Sequence, residues 1–163
     1  MEVDEIVKNY LLTDDTNDVP DAGDIALVGI LSGGIYLVRD TGRLGLDRDT
    51  TPEAFDPVTW ALLPTLIINM RGLVPRTDIP HVPTWETGRN VLEFYFEVDG
   101  DAPYDDLYQA RDRCIRILHN QRFPRITKIT HINNVDGGAR PLELGRAAMV
   151  RADFEVTEIR RPR

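Results

Sequence analysis

Two segments of the chain alternate between apolar and polar side chains, which is the period of a β-strand that covers a core with one face. The first is VLEFYFEV at 91–98, whose apolar positions are Leu92, Phe94, Phe96 and Val98. The second lies near the C-terminal end, where one face carries Ala148, Val150, Ala152, Phe154 and Val156. Because one-sided alternation is typical of antiparallel sheets, we expect a sheet that is antiparallel in the main.

Helical spacing appears in two other segments. From Val3 to Leu12, one side carries Val3, Ile6, Val7, Tyr10 and Leu11. From Tyr104 to Asn120, a predicted core stripe consists of Leu107, Ala110, Cys114, Ile117 and Leu118. Tyr108 and Ile115 lie beside this stripe and widen the apolar arc, so we expect one side of the second helix to face a neighbouring subunit.

Shorter apolar segments predict the remaining elements of an α+β domain. Residues 25–31 form a short helical piece, and strands are expected at 35–38 and 65–70, the latter bounded by proline and glycine. The segment 126–135 is rich in β-branched residues, but its apolar positions recur every third residue. We therefore predict a strand with a bulge or a twist there, followed by a turn at 136–138.

Two long loops are predicted at 41–58 and 74–89, where turn residues and prolines replace any hydrophobic period. Phe55, Trp60 and Trp85 lie in or beside these loops. Exposed aromatic side chains on loops tend to mark contact surfaces. We therefore expect both loops to carry subunit or neck contacts and to be mobile in the free protein. The alternative for Trp85 is that it packs onto the sheet of its own chain.

Composition narrows the class of protein. A chain of 163 residues fits one domain, and a formal charge of -8 opposes broad binding to nucleic-acid phosphates. Two candidate basic patches are present, the tail with Arg160, Arg161 and Arg163 and a first group with Arg111, Arg113, Arg116, Arg122 and Arg125. We interpret the first group as mostly a solvated helix face. A single cysteine excludes an internal disulfide, and neither a signal peptide nor a membrane span is expected. Assembly in the cytoplasm is the resulting expectation.

Candidate catalytic groups do not combine into a site. His81, His119 and His131 show no metal-ligand spacing, and Cys114 on the core stripe is expected to be inert. The glycines at 42–45 and 136–138 lack the lysine and hydroxyl residues of a phosphate-binding loop. Glu93 and Glu97 share a strand face, which we interpret as solvated or facing an interface rather than as an acid–base pair. We expect no enzyme activity, no metal and no cofactor.

Several phrases in this order resemble the tail terminator (tail completion) proteins of long-tailed bacteriophages. They are the N-terminal helix, IALVGILSGGIY (25–36), LPTLIINMRG (63–72), FYFEVDGDAPYDDLYQARDRCIRILHN (94–120) and RADFEVTEI (151–159). The resemblance covers most of the chain, but it is one of pattern, without a catalytic signature. It implies a sheet with helices packed on one face and a single terminator-like domain over residues 1–163.

The resemblance also implies a role in the virion, at the tail and neck, after assembly in the host cytoplasm. Such a subunit forms a hexameric ring that caps the tail tube and joins it to the head-neck connector. Genomic DNA passes through the lumen without specific binding, and no membrane is involved. Candidate assembly contacts are Phe55, Trp60, Trp85, Tyr108 and Ile115. The alternatives are a head-tail adaptor or other neck or tail protein, or a small ligand-binding or enzyme domain built around Trp60, His81 and Trp85.

Overall fold

The computed structural model describes residues 2–13, 25–75, 86–101, 104–124, 126–142 and 145–160. Its helices are α1 (Val3–Leu11), α2 (Leu27–Ile30), α3 (Val38–Thr41) and α4 (Asp105–Leu118), and a 3-10 turn covers Pro52–Ala54. Its strands are β1 (Gly34–Leu37), β2 (Thr65–Pro75), β3 (Glu86–Asp99), β4 (Ile126–Val135), β5 (Ala139–Pro141) and β6 (Arg146–Arg160). No helix in these ranges is both long and apolar enough to cross a membrane.

The strands form one sheet in the order β1-β2-β3-β6-β4, and β5 pairs with the first part of β6. β1 lies parallel to β2, whereas the other pairings are antiparallel. The predicted α+β class and the mainly antiparallel sheet are therefore confirmed, in a single domain. The predicted irregularity of the segment 126–135 is also confirmed, because the pairing of β4 with β6 shifts register twice.

The apolar face of the sheet holds the main core. The rings of Phe94 and Phe154 lie 4.8 Å apart between centroids, and both side chains are fully buried. Helix α4 covers them with the predicted stripe, of which Ile117 alone is only partly buried. Helices α1 and α2 pack against the same cluster. Three helices thus cover one face, as the alternation in β3 and β6 and the helical spacing require.

Helix α1 is fixed at its start and along its side. Glu2 and Glu5 form a capping box, in which the backbone N–H of Glu2 donates to the Glu5 carboxylate over 2.9 Å. Val3, Val7 and Leu11 are buried at helical spacing, which confirms this predicted helix. The buried Asp4 accepts a 2.8 Å hydrogen bond from Nε of Arg39 on α3, and this bond raises the pKa of Arg39. The pair ties α3 to α1.

The opposite face of the sheet is covered in part by residues 42–62. Leu46, Ala54, Phe55 and Leu62 are buried in a second cluster with Ile67 and Ala147. Backbone bonds fix the end of this segment, since the Asp99 N–H donates to the Leu62 carbonyl over 3.0 Å. Much of the predicted loop at 41–58 is therefore a packed layer on the sheet, and its expected mobility in the free protein stays a prediction.

The prediction of a loop over residues 74–89 is wrong at both ends. β2 continues to Pro75 and β3 begins at Glu86, so Gly72 does not end the strand. A register shift between Arg71 and Val74 absorbs the irregular residues, and the long partner β6 supplies pairing for β3 as far as Glu86. Residues 76–85 between the strands lie outside the described ranges.

The solvated helix face predicted for the arginines is also wrong at two positions. Arg111 and Arg113 are buried on α4, whereas Arg116 and Arg122 are exposed as expected. Arg111 forms an ion pair with Asp136 and lies 5.1 Å from the ring centroid of Tyr108. The aliphatic part of an arginine side chain can be buried against apolar surface when the guanidinium is paired with an acid. For Arg111 that acid is Asp136, just beyond the end of β4. Arg125 lies outside the described residues.

Truncation of Phe94 tests this account of the core. We expect Phe94→Ala to lower the free energy of unfolding by about 3–5 kcal/mol, because a fully buried ring leaves a cavity. Urea denaturation measures the change. Val58→Ala is the control, since Val58 is 84% exposed and its truncation should stay within about 0.5 kcal/mol. A midpoint for Phe94→Ala equal to that of the control would contradict the burial of this ring.

Candidate functional site

Three carboxylates are buried on the sheet face opposite the phenylalanines. Glu93 and Glu97 of β3 and Asp153 of β6 alternate with the core residues, so their side chains point to the other face. The sequence-based interpretation of Glu93 and Glu97 as a solvated or interface-facing pair is wrong in one respect, because both are buried within the single chain. Their shared face is confirmed. The reason for their burial is a set of arginines supplied by other elements.

Glu97 is neutralised by Arg140 of β5. Arg140 donates from Nε to Oε1 over 3.0 Å and from Nη2 to Oε2 over 2.6 Å, which is a two-pronged contact between planar groups. Gly45 lies against the same guanidinium, and a Cβ there would come within 2.9 Å of Arg140 Nη1. The absence of a side chain at residue 45 therefore lets the 42–62 segment close over the ion pair.

Glu93 and Asp153 lie directly opposite each other on β3 and β6. Two like charges at such a position repel, so the pair requires cations nearby. Arg71 Nη2 lies 3.1 Å from Glu93 Oε2, and Arg151 Nε lies 3.1 Å from Asp153 Oδ1. Burial raises the pKa of the neighbouring Tyr95 phenol, and the charge of Glu93 raises it further. This cluster is a balanced charge network.

A cleft of about 210 Å³ opens where the 42–62 segment meets β5. Its lining combines guanidinium groups with apolar and aromatic side chains: Arg43, Gly45, Leu46, Asp47, Arg48, Phe55, Trp60, Arg140, Pro141 and Leu142. These residues include one carboxylate but no nucleophile or histidine. The chemistry of this lining favours binding of an anionic group over catalysis of a reaction.

Arg48 is held in the cleft by two rings and a carbonyl. Its guanidinium carbon lies 5.3 Å from the Trp60 ring centroid and 5.9 Å from that of Phe55. Nη2 of Arg48 also donates to the Trp60 carbonyl over 3.2 Å.

Trp60 adopts a φ of 60°, a left-handed conformation that a bulky residue rarely takes. The backbone N–H groups of Thr59 and Val58 donate to Asp56, which lowers the Asp56 pKa and stabilises the turn that presents Trp60.

The structure separates the predicted contact residues. Phe55, expected to be exposed on its loop, is instead buried in the second cluster, because the 3-10 turn folds it onto the sheet. Trp60 is 45% exposed. Tyr108 and Ile115 lie on α4, partly buried against the main core, on the face of the sheet opposite the cleft. Trp85 and His81 lie outside the described residues, so the expected grouping of Trp60, His81 and Trp85 stays a prediction.

The remaining candidate groups serve the fold. Cys114 is fully buried as predicted, and burial raises the pKa of its thiol. His119 and His131 are in contact although they are 12 positions apart in sequence. The backbone N–H of His131 donates to Nδ1 of His119 over 3.1 Å. That contact joins the end of α4 to β4. Among the residues described, no three histidine, cysteine, aspartate or glutamate side chains converge as metal ligands do.

No protein-family model matches the chain, and no curated protein sequence matches it significantly.

The residues that matter most at the cleft, Arg48 and Arg140, were not singled out by the sequence. Arg140 is 43 positions from Glu97, and no local period links an arginine after a glycine turn to a carboxylate on a central strand. Arg48 offered one signal, its place in the predicted loop at 41–58, which contains Phe55 and ends beside Trp60.

Replacement of Glu97 tests the buried ion pair. We expect Glu97→Gln to lower the free energy of unfolding by about 3 kcal/mol, because Arg140 loses its charged partner. Breaking a buried ion pair usually costs about 3–5 kcal/mol. We expect the lower end of that range because the Arg140 side chain is 23% exposed to water. Urea denaturation measures the loss, and Asp112→Asn, at an exposed carboxylate on α4, is the matched control. Equal midpoints for the two variants would show that the pair contributes nothing.

Proposed function

We propose that this protein is a virion structural protein, a tail terminator that forms a hexameric ring on the tail tube and joins it to the head-neck connector. It acts through contacts between folded surfaces and needs no cofactor or catalytic group. Its acidic charge keeps the ring from gripping the DNA that passes through the lumen. The proposal starts from the phage tail terminator resemblance, whose implied fold, a sheet with helices on one face, agrees with the fold observed.

Two separate exposed surfaces are the observation that carries this proposal. The first lies on the 42–62 segment, where Val58 is 84% exposed and Trp60 and Leu44 are also exposed. The second lies on β4, where Ile132 and Val135 are exposed. A ring subunit that also binds a tube and a connector requires several such surfaces, because each neighbour occupies a different one.

The exposed part of β4 is an open sheet edge. Residues 119–121 bond to the outer edge of the first half of β4, where the Asn120 N–H donates to the Ile129 carbonyl over 2.9 Å. Beyond His131, no backbone bond within the described chain covers this edge. An open edge with apolar side chains can accept an added strand from another protein. We assign it to contact with the tail tube or the connector.

A head-tail adaptor is the closest alternative, since it would use the same kinds of surfaces. The ligand-binding alternative is supported by the cleft beside Trp60, because the lining of this cleft can hold an anion. The cleft is smaller than the roughly 300–1,000 Å³ of usual ligand pockets. Its size fits a side chain of a protein partner better than a metabolite, which favours the assembly role.

Binding to polymerised tail tubes tests the function. Tubes assembled from the tail tube protein of the same virion are mixed with the purified chain and imaged by electron microscopy. A terminator should bind at one tube end only and should stop elongation from that end. Ile132→Asp, which places a charge on the open edge, should abolish this binding while leaving the urea midpoint of the chain nearly unchanged.

The adaptor alternative gives a different image. An adaptor would bind connector rings and leave the growing tube ends free. Binding along the tube wall, or no binding at all by the folded wild-type chain, would rule out the terminator role. Ile25→Asp is the matched control, because it places the same charge at an exposed apolar residue outside both surfaces, and it should leave tube binding unchanged.

A further inference from the structure

The cleft around Arg48 carries an uncompensated positive charge. Its three guanidinium groups face two carboxylates, since Arg43 pairs with Asp47 and Arg140 pairs with Glu97. Within the described chain, Arg48 has no carboxylate partner, and one hydrogen bond uses only Nη2 of its guanidinium. Rings and backbone already hold this guanidinium in place. A carboxylate entering the cleft would therefore bind a cation that is largely preorganised.

A complementary surface lies at the start of α4. Tyr104 is exposed, and Asp105 and Asp106 in the first helical turn are exposed carboxylates. Neither aspartate has a cationic partner in the described ranges. This segment is complementary to the cleft. Its aromatic ring can pack on the exposed ring of Trp60, and its carboxylates can pair with the charge of Arg48. Acidic groups of this kind pair well with arginine, whose donors are fixed in a plane.

The two surfaces do not contact each other within the described part of one copy. Helix α4 packs with Phe94 on one face of the sheet, whereas Phe55 at the cleft packs with Ile67 on the other. None of Tyr104, Asp105 and Asp106 lines the cleft of its own copy. A contact between copies would pair these charges. A contact between two different patches is heterologous, and repeated contacts of this kind generate a ring when the rotation closes.

We propose that the Tyr104–Asp106 segment of one copy docks in the Arg48 cleft of the next and forms the repeating contact of the ring. This inference rests on the proposed function, and it specifies the surfaces that the ring would use. Arg48 binds a carboxylate of Asp105 or Asp106, and Tyr104 packs against Trp60. The contact is electrostatic at its centre, so salt should weaken it.

Charge exchange tests the contact. Sedimentation equilibrium gives the dissociation constant for self-association of the full chain, and circular dichroism and urea midpoints establish that each variant is folded. Arg48→Glu should raise this constant at least about thirtyfold, the loss expected when one member of a buried interfacial pair is removed. Asp105→Arg combined with Asp106→Arg should do the same. Joining all three substitutions in one chain should restore most of the affinity.

Arg122→Glu is the matched control, because it makes the same change of charge at an exposed arginine beyond the end of α4. It should leave the dissociation constant within about threefold of the wild-type value. If the wild-type chain associates and Arg48→Glu or the aspartate variant associates equally well, this contact is wrong while the ring itself stands. Failure of the combined variant to recover affinity also overturns the contact. A wild-type chain that stays monomeric overturns both the contact and the ring.

Discussion

Strands β3 and β6 pair without a register shift, from Glu86 opposite Arg160 to Asp99 opposite Ala147. This pairing determines which side chains lie on each face of the sheet. Because the two strands alternate in phase, their phenylalanines gather on one face and their carboxylates on the other. A slip by one residue would expose Phe94 and bury charge among the helices. Helix packing on one side and ion pairing on the other both follow from this single pairing.

The acidic face explains why the rest of the chain folds over the sheet as it does. Glu97 would be costly to bury alone, and Arg140 offsets that cost from β5. The 42–62 segment then closes over the pair at Gly45 and brings Phe55 and Trp60 to the rim of a cleft. The surplus charge of Arg48 thus lies in the layer that covers the compensated acids. The ion pair that stabilises the chain and the proposed contact with a neighbour meet at one cleft.

The sequence predicts those parts of the fold whose signal is local. The period of two in β3 and β6 and the helical stripe from Leu107 to Leu118 identify the core and its faces, because the periodicity alone carries that information. The burial of Arg111 and Glu97 could not be found this way, since each depends on a partner 25 or 43 positions distant. The strand ends were missed because Gly72 and Pro75 resemble turn residues, whereas a register shift between Arg71 and Val74 accommodates Gly72, and Pro75 pairs with Gly88. The cleft itself arises from tertiary packing, so the sequence indicated only its aromatic rim.

In the proposed ring, each subunit contacts its neighbours through two different surfaces of one sheet. Electron microscopy of the purified chain, without tube or connector, distinguishes such a ring from other assemblies. This arrangement predicts closed rings of one copy number at concentrations where the chain self-associates, with open arcs as their incomplete forms. Symmetric dimers would contradict it, because they require one patch that binds itself. Unbounded filaments or monomers at every concentration would contradict it as well.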